Sequence, residues 1–190
     1  MPDQDAFAKR ERALEDQYFQ NKDRELLEKL RQQAASEETR RKLGEATGVR
    51  DASVIAEMAE LGFNPDTVVL LPFVPIVEVA WAEQGVTDAE RNLIVELARA
   101  RGIEAGSAAD AQLAAWLTEQ PDGKVFAGAA RLIKALFDAR PEGQDDLDTS
   151  DLVRYCEQVA DASGGFLSLR RISPAERALL GRINDELKAR

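Results

Sequence analysis

Glu83-Gln84-Gly85-Val86-Thr87-Asp88-Ala89-Glu90-Arg91-Asn92-Leu93-Ile94 is the stretch whose reading decides the fold. Thr87 and Glu90 have the spacing of a capping box. In that motif the threonine hydroxyl accepts from the N–H three residues on, and the glutamate accepts from the threonine N–H. Gly85 supplies a turn ahead of the box. Leu93, Ile94 and Leu97 then recur at helical spacing until Gly102 closes the helix. The same punctuation continues outward. A short helix is expected over Ser53–Leu61, stopped by Gly62. Asn64-Pro65 reads as a cap with proline at the first helical position, opening a helix to about Leu71. Pro72 and Pro75 end that helix and open the next, Pro75–Gln84, because an interior proline breaks the hydrogen-bond ladder. Ser107 caps Ala108–Glu119, and Pro121-Asp122-Gly123 turns the chain into Lys124–Ala139. Helices over Ser150–Ala162 and Ser173–Lys188 follow an acidic loop, Pro141–Asp148. No alternation of apolar and polar residues marks a strand, so the fold class is all-α.

The quoted stretch has a counterpart near the end of the chain. Glu78-Val79-Ala80-Trp81-Ala82-Glu83-Gln84-Gly85 leads into the box at Thr87. Glu157-Gln158-Val159-Ala160-Asp161-Ala162-Ser163-Gly164 leads, after an insertion over Gly165–Arg171, into Ile172-Ser173-Pro174-Ala175-Glu176-Arg177. Both read as helix, turn, capping box, helix, so two pseudo-repeated αα-hairpins are expected. The first unit, Ala82 to Glu90, resembles the Ala-Asp-Gly-x-Val-(acid/Ser)-x-x-Glu signature of the tellurite-resistance TerB-like helical domains. The similarity covers residues 65–190 and implies a compact TerB-like bundle. Acidic residues of the paired hairpins are associated with metal binding in that family. The resemblance therefore implies metal candidates at Glu83, Glu90, Asp161 and Glu176. The residues themselves carry a second reading. Glu83 stands in place of the signature's Asp and Gln84 in place of its Gly, leaving few of the converging oxygens that calcium or magnesium needs. Glu90 and Glu176 each lie third after a cap, where a capping box uses them without a metal. On that reading no cofactor is expected.

The 190 residues, 44% hydrophobic and 32% charged, have room for one ordinary domain and an appendage. Histidine is absent and Cys156 is the single cysteine. That excludes Cys/His zinc sites, disulfide frameworks, histidine bases and Ser-His-Asp or Cys-His triads. No phosphate-binding loop, dinucleotide fingerprint or nucleophile elbow is present, so no enzyme is expected. The net charge of −10 argues against nucleic acid and anionic lipid as partners. The longest uncharged run, Thr67–Val77, is broken by Pro72 and Pro75 and falls short of the roughly 20 residues that span a bilayer, so no membrane insertion is expected. A lone cysteine and a charged N-terminal stretch without a signal peptide point to the cytoplasm. Trp81 and Trp116 read as core anchors, and Cys156 as a small buried hydrophobe. The apolar stretch Phe166-Leu167-Ser168-Leu169 reads as a loop packed over the core.

Charge divides the chain. Residues 1–45 hold ten Lys/Arg against eleven Asp/Glu, and residues 46–190 hold fifteen against twenty-four. The expected organisation is a charged helical arm, 1–45, and an acidic all-helical domain, 46–190. The arm lacks interior Gly and Pro. Phe7, Leu14 and Tyr18 fall on one stripe of a helix, and Phe19, Leu26 and Leu30 on another. No heptad is sustained, which disfavours a long coiled coil. Glu25–Lys29, Glu37–Arg41 and Glu38–Lys42 are spaced as favourable i,i+4 pairs. Phe7-x-Lys9-Arg10-Glu11-x-Ala13-x-Glu15-x-x-Tyr18-Phe19, followed by Glu25-x-Leu27, resembles the inhibitory segment of the mitochondrial ATP synthase inhibitor family. In that family the segment is a helix that inserts into the catalytic head and blocks ATP hydrolysis. The resemblance implies partner-binding roles for Phe7, Arg10, Glu11, Glu15, Tyr18, Phe19 and Leu27. Two departures matter. The family's histidine pH switch has no residue to act through, and its antiparallel dimerisation helix is replaced by the acidic domain.

The expectation is a non-enzymatic regulatory protein that binds a protein partner through the arm, with the catalytic head of an F-type ATP synthase as the concrete partner. Docking of the arm on its own body or in a homodimer is an open alternative. So is a TerB-like stress-response or divalent-metal-sensing module with a structural arm.

Overall fold

The structure, a computed structural model, describes the backbone of residues 3–82, 85–139, 148–162 and 172–188. Its side chains are described over the same ranges from residue 26 onward, together with Lys22. Every regular element among these residues is helical. The chain divides into two units, 1–41 and 42–190. None of the described helices is long and apolar enough to cross a membrane.

Helix α1 runs Asp3–Thr47, and residues up to Arg41 form the first unit. A run rich in Ala, Leu, Glu, Lys, Arg and Gln is made of good helix formers throughout. Glu38 accepts from Arg41 through both carboxylate oxygens, at 2.8 and 3.1 Å. Arg41 thus pairs one residue closer than the i,i+4 spacing from Glu37 suggests.

The second unit begins with the end of α1. Leu43 is wholly buried there, and Thr47 closes the helix by donating its hydroxyl to the Leu43 carbonyl at 2.7 Å. Helix α2, Ala52–Glu60, starts at Asp51, whose Oδ1 accepts from the Ser53 N–H at 2.8 Å. Gly62 ends it with φ of +90°. The N–H of Phe63 then reaches back to the Met58 carbonyl, and that of Gly62 to the Ala59 carbonyl, each at 3.0 Å. This is a Schellman stop, with buried Phe63 as its apolar contact. Gly102 ends α4 in the same way over buried Ile103.

One part of the expected helix order is corrected. Asn64 does cap the following turn, its Oδ1 accepting from Asp66 N–H at 2.9 Å, but no α-helix runs to Leu71. Instead Val68–Phe73 is a 3-10 segment that passes straight into α3, Val74–Ala80, with Pro72 inside it. A 3-10 turn bonds to the third residue back, so a proline there breaks less of the ladder than in an α-helix. Helix α3 stops at Ala80, four residues earlier than expected.

Helix α4 is Asp88–Ala100, α5 Ala108–Trp116, α6 Gly123–Asp138, α7 Thr149–Ala162 and α8 Pro174–Lys188. Helix α5 ends three residues before the expected Glu119. Its last carbonyls turn to other partners: Trp116 accepts from the Trp81 indole Nε1 at 2.8 Å, and Leu117 from Arg91 Nη2 at 2.5 Å. These bonds satisfy carbonyls that a helix end leaves unpaired.

Helix α3 lies at the centre. It packs on α7, α6, α8 and α4, and the 3-10 segment joins it to α6. Val74, Pro75, Ile76, Val77, Val79 and Ala80 are all buried, so α3 is apolar on every side but one. The side facing out of the core carries Glu78. Leu43, Met58, Leu70, Leu71, Ile94, Leu132, Ile133 and Leu152 fill the space around it. The core reaches back to Leu43, so the end of α1 is part of it. A chain begun at Lys42 should therefore be more stable than one begun at Ala46 by about 2–5 kcal/mol, the range for removing a large buried side chain. Urea unfolding of the two chains measures this, and equal midpoints would contradict it.

Candidate functional site

The sequence singled out the arm and the two capping boxes. On the arm, Phe7, Arg10, Glu11, Glu15, Tyr18 and Phe19 all lie within α1, and their side chains are outside the described residues. Leu27 is described. It is 54% exposed, between Leu26 at 57% and Leu30 at 52%. Among the described residues the only other large apolar side chain so exposed is Val69, at 45%. Fully burying a leucine is worth about 1.5–3 kcal/mol. Three half-exposed leucines on adjacent turns therefore leave a few kcal/mol for a partner to realise, less the ordering of its own side chains.

Both boxes form. At the first, Glu90 Oε2 accepts from the Thr87 N–H and hydroxyl, each at 2.7 Å, and the Glu90 N–H donates to Thr87 Oγ1 at 3.2 Å. At the second, Glu176 Oε2 accepts from the Ser173 N–H at 2.6 Å, and the Glu176 N–H donates to Ser173 Oγ at 3.2 Å. Glu90 is 2% exposed and Glu176 1%, whereas a box glutamate at a helix surface would be solvated. Of the other metal candidates, Asp161 is exposed near the end of α7, and Glu83 lies outside the described residues. Among the described residues no group of three or more Cys, Asp or Glu converges to hold a metal.

Cys156 is fully buried on α7. Burial first, then the nearby charges of Glu78 and Glu157, push its thiol up to about 12, far from the range of a reactive thiolate. Trp81 and Trp116 are partly buried. Phe63 meets Trp116 edge to face at 6.0 Å between ring centres, and the Trp81 indole bond already described ties α3 to α5. The apolar stretch at 166–169 lies outside the described residues.

Two polar constellations escape a sequence reading. Arg182 on α8 bonds Glu78 on α3 across 104 positions of sequence and also reaches Glu186 at 3.3 Å. A single carboxylate on an otherwise apolar helix is the signal that could have marked Glu78. At the end of α4, Arg101 donates to the Tyr155 hydroxyl at 2.6 Å. Arg101 and Arg154 each stack 5.4 Å from the Tyr155 ring centre, and Arg154 pairs with Asp151 at 2.5 Å. This group closes on itself and fastens α4 to α7. No known protein family matches the chain, nor does any curated protein or solved structure.

Two predictions follow from these groups' chemistry. Glu176→Ala should lower the stability of the fold by about 1–3 kcal/mol, the cost of leaving a buried donor unpaired. Glu176→Gln, which keeps an acceptor for the Ser173 N–H, should recover much of the loss in chemical denaturation. The second concerns pH. Burial holds Glu78 above the ordinary glutamate range, against the opposing pull of Arg182, with Glu186 adding to the rise. A carboxyl raised in the folded state binds its proton more tightly there. Its contribution to stability is then most favourable in acid and declines as pH rises from the ordinary glutamate value through the folded one. Glu78→Gln removes that titration. The wild-type stability relative to this variant should fall as pH rises from about 4, and a difference independent of pH would count against it.

Proposed function

We propose that the chain is a non-enzymatic regulatory protein that binds a protein partner through α1. The concrete partner is the catalytic head of an F-type ATP synthase, whose ATP hydrolysis it blocks. The observation that carries this reading is the exposed triplet Leu26, Leu27 and Leu30 on a helix whose preceding residues resemble an inhibitory segment. Tyr18 and Phe19 are the proposed anchors, since buried aromatic residues tend to dominate interfaces. Glu11 and Glu15 pair with basic groups of the partner, and Phe7 and Arg10 extend the contact toward the start of the helix. Inhibition of this kind needs no catalytic group on the inhibitor, in keeping with a chain that has neither histidine nor a reactive thiol.

The test is steady-state ATP hydrolysis by the catalytic head purified from the same organism. Full-length protein should inhibit it, and a peptide of residues 1–45 should do so more weakly because the isolated helix is only partly formed. Tyr18→Ala combined with Phe19→Ala should weaken inhibition at least tenfold, as hot-spot truncations do. An absence of inhibition by the full-length protein at high micromolar concentration would sink the reading.

A further inference from the structure

The last turn of α1 is fixed at several points. Leu43 is wholly buried and Val49 is 5% exposed. The Gly48 N–H donates to the Gly44 carbonyl at 2.9 Å, with Gly48 at φ of +73°, a left-handed helix stop that glycine favours. The Val49 N–H donates to the Thr47 hydroxyl at 3.3 Å, and that hydroxyl donates in turn to the Leu43 carbonyl. The two glycines also permit close approach. A Cβ at Gly44 would come within 3.1 Å of Ile55 Cδ1 on α2, and one at Gly48 within 3.3 Å of the Ala139 carbonyl oxygen after α6. By contrast, every side chain from Leu26 to Lys42 except that of Thr39 is exposed, although the helix runs through this stretch without a break.

We infer that this fixed turn is the nucleus of α1, and that the exposed part of the helix is ordered by growth from it toward the N-terminus. Starting a helix is the costly step. It is disfavoured on the order of a thousandfold, whereas each further residue gains a factor of only roughly 1–1.6 even for good helix formers near 0 °C. A stretch without a covered face has to offset the starting cost through propagation alone. Leu43 to Thr47 remove that cost, because the packing of the second unit already sets their backbone. Ser36 and Thr39, the weaker helix formers of the stretch, lie between this nucleus and the exposed leucines. Order at Leu26–Arg31 therefore depends on continuity through them. Where α1 is the partner-binding element, as the proposed function has it, the second unit acquires a role. It presents a helix that is formed before the partner arrives, which raises affinity without adding a contact.

The test follows helix content along the free full-length protein from NMR Cα chemical shifts, at a temperature where the second unit is folded, and it needs no partner. The wild type should be helical over residues 26–31. Ser36→Pro interrupts the ladder, since proline lacks the N–H and its ring clashes with the carbonyl four residues back. It leaves residues 36–47 as a helix with proline at a tolerated first position. Helix content over residues 26–31 should then fall by about half or more, although these residues lie more than a turn from the break, beyond ordinary fraying of a helix end. Ser36→Ala, a better helix former, should leave it unchanged or raised. Ser36 is exposed, so the melting temperature of both variants should match wild type. Undiminished helix content over 26–31 in Ser36→Pro would overturn the inference by showing that the arm is helical without the nucleus. A wild type with no helix over 26–31 would overturn it as well. Inhibition of ATP hydrolysis is read in a separate assay, so a failure of this inference is distinguishable from a failure of the inhibitory reading.

Discussion

Burial of α3 is the constraint on which the rest of the second unit depends. A helix of seven residues is far too short to form alone, so its backbone order comes from what surrounds it. Because nearly every side of it is apolar, each side needs a neighbour. Helices α4, α6, α7 and α8 supply them. The remaining elements follow from this arrangement. The 3-10 segment delivers the chain into α3 without a loop, which keeps the backbone at Pro72 inside the core. The C-terminal end of α5 is held by two side chains, Trp81 from the residue after α3 and Arg91 from α4. The one polar residue of α3, Glu78, faces α8 and meets Arg182. A carboxylate at the edge of a core is tolerable only when paired, and the pairing also fixes where α8 lies.

Much of this order was legible because helix ends are chemically explicit. The boxes at Thr87/Glu90 and Ser173/Glu176, the cap at Ser107, the turn at Pro121-Asp122-Gly123, and the stops at Gly62 and Gly102 are local chemistry. Their hydrogen bonds need nothing from distant sequence. The misread element is the one where tertiary burial outweighed local rules. Thr67 to Val77 is the most apolar stretch of the chain, and its two prolines look like breakers. In the core, a 3-10 turn joined to a short α-helix accommodates both while every large side chain except Val69 is covered. The near-repeat is expressed in its two boxes. Whether the two hairpins share a common packing is not decided by capping chemistry, which only starts a helix.

The candidate site divides in the same way. The leucines of α1 were visible in the sequence, but their spacing equally fits a face packed on something, and only exposure separates the two. The box glutamates were correctly read as acceptors for their caps. Their near-complete burial was not foreseeable, because a local motif says nothing about what later covers it. Glu78–Arg182 and the Arg101–Tyr155–Arg154 group lay beyond sequence reasoning because their partners are brought together by helix packing alone.

Apolar surface is handled in two different ways within one chain, and the contrast bears on function. In the second unit nearly every large apolar side chain is covered, at the expense of burying two carboxylates and one end of an ion pair. On α1, three leucines lie on adjacent turns with more than half of each exposed, although moving any of them to a polar residue would leave helix propensity almost unchanged. Solubility and helix formation therefore do not call for leucine at these positions. The three leucines are the apolar area that the proposed binding through α1 would cover.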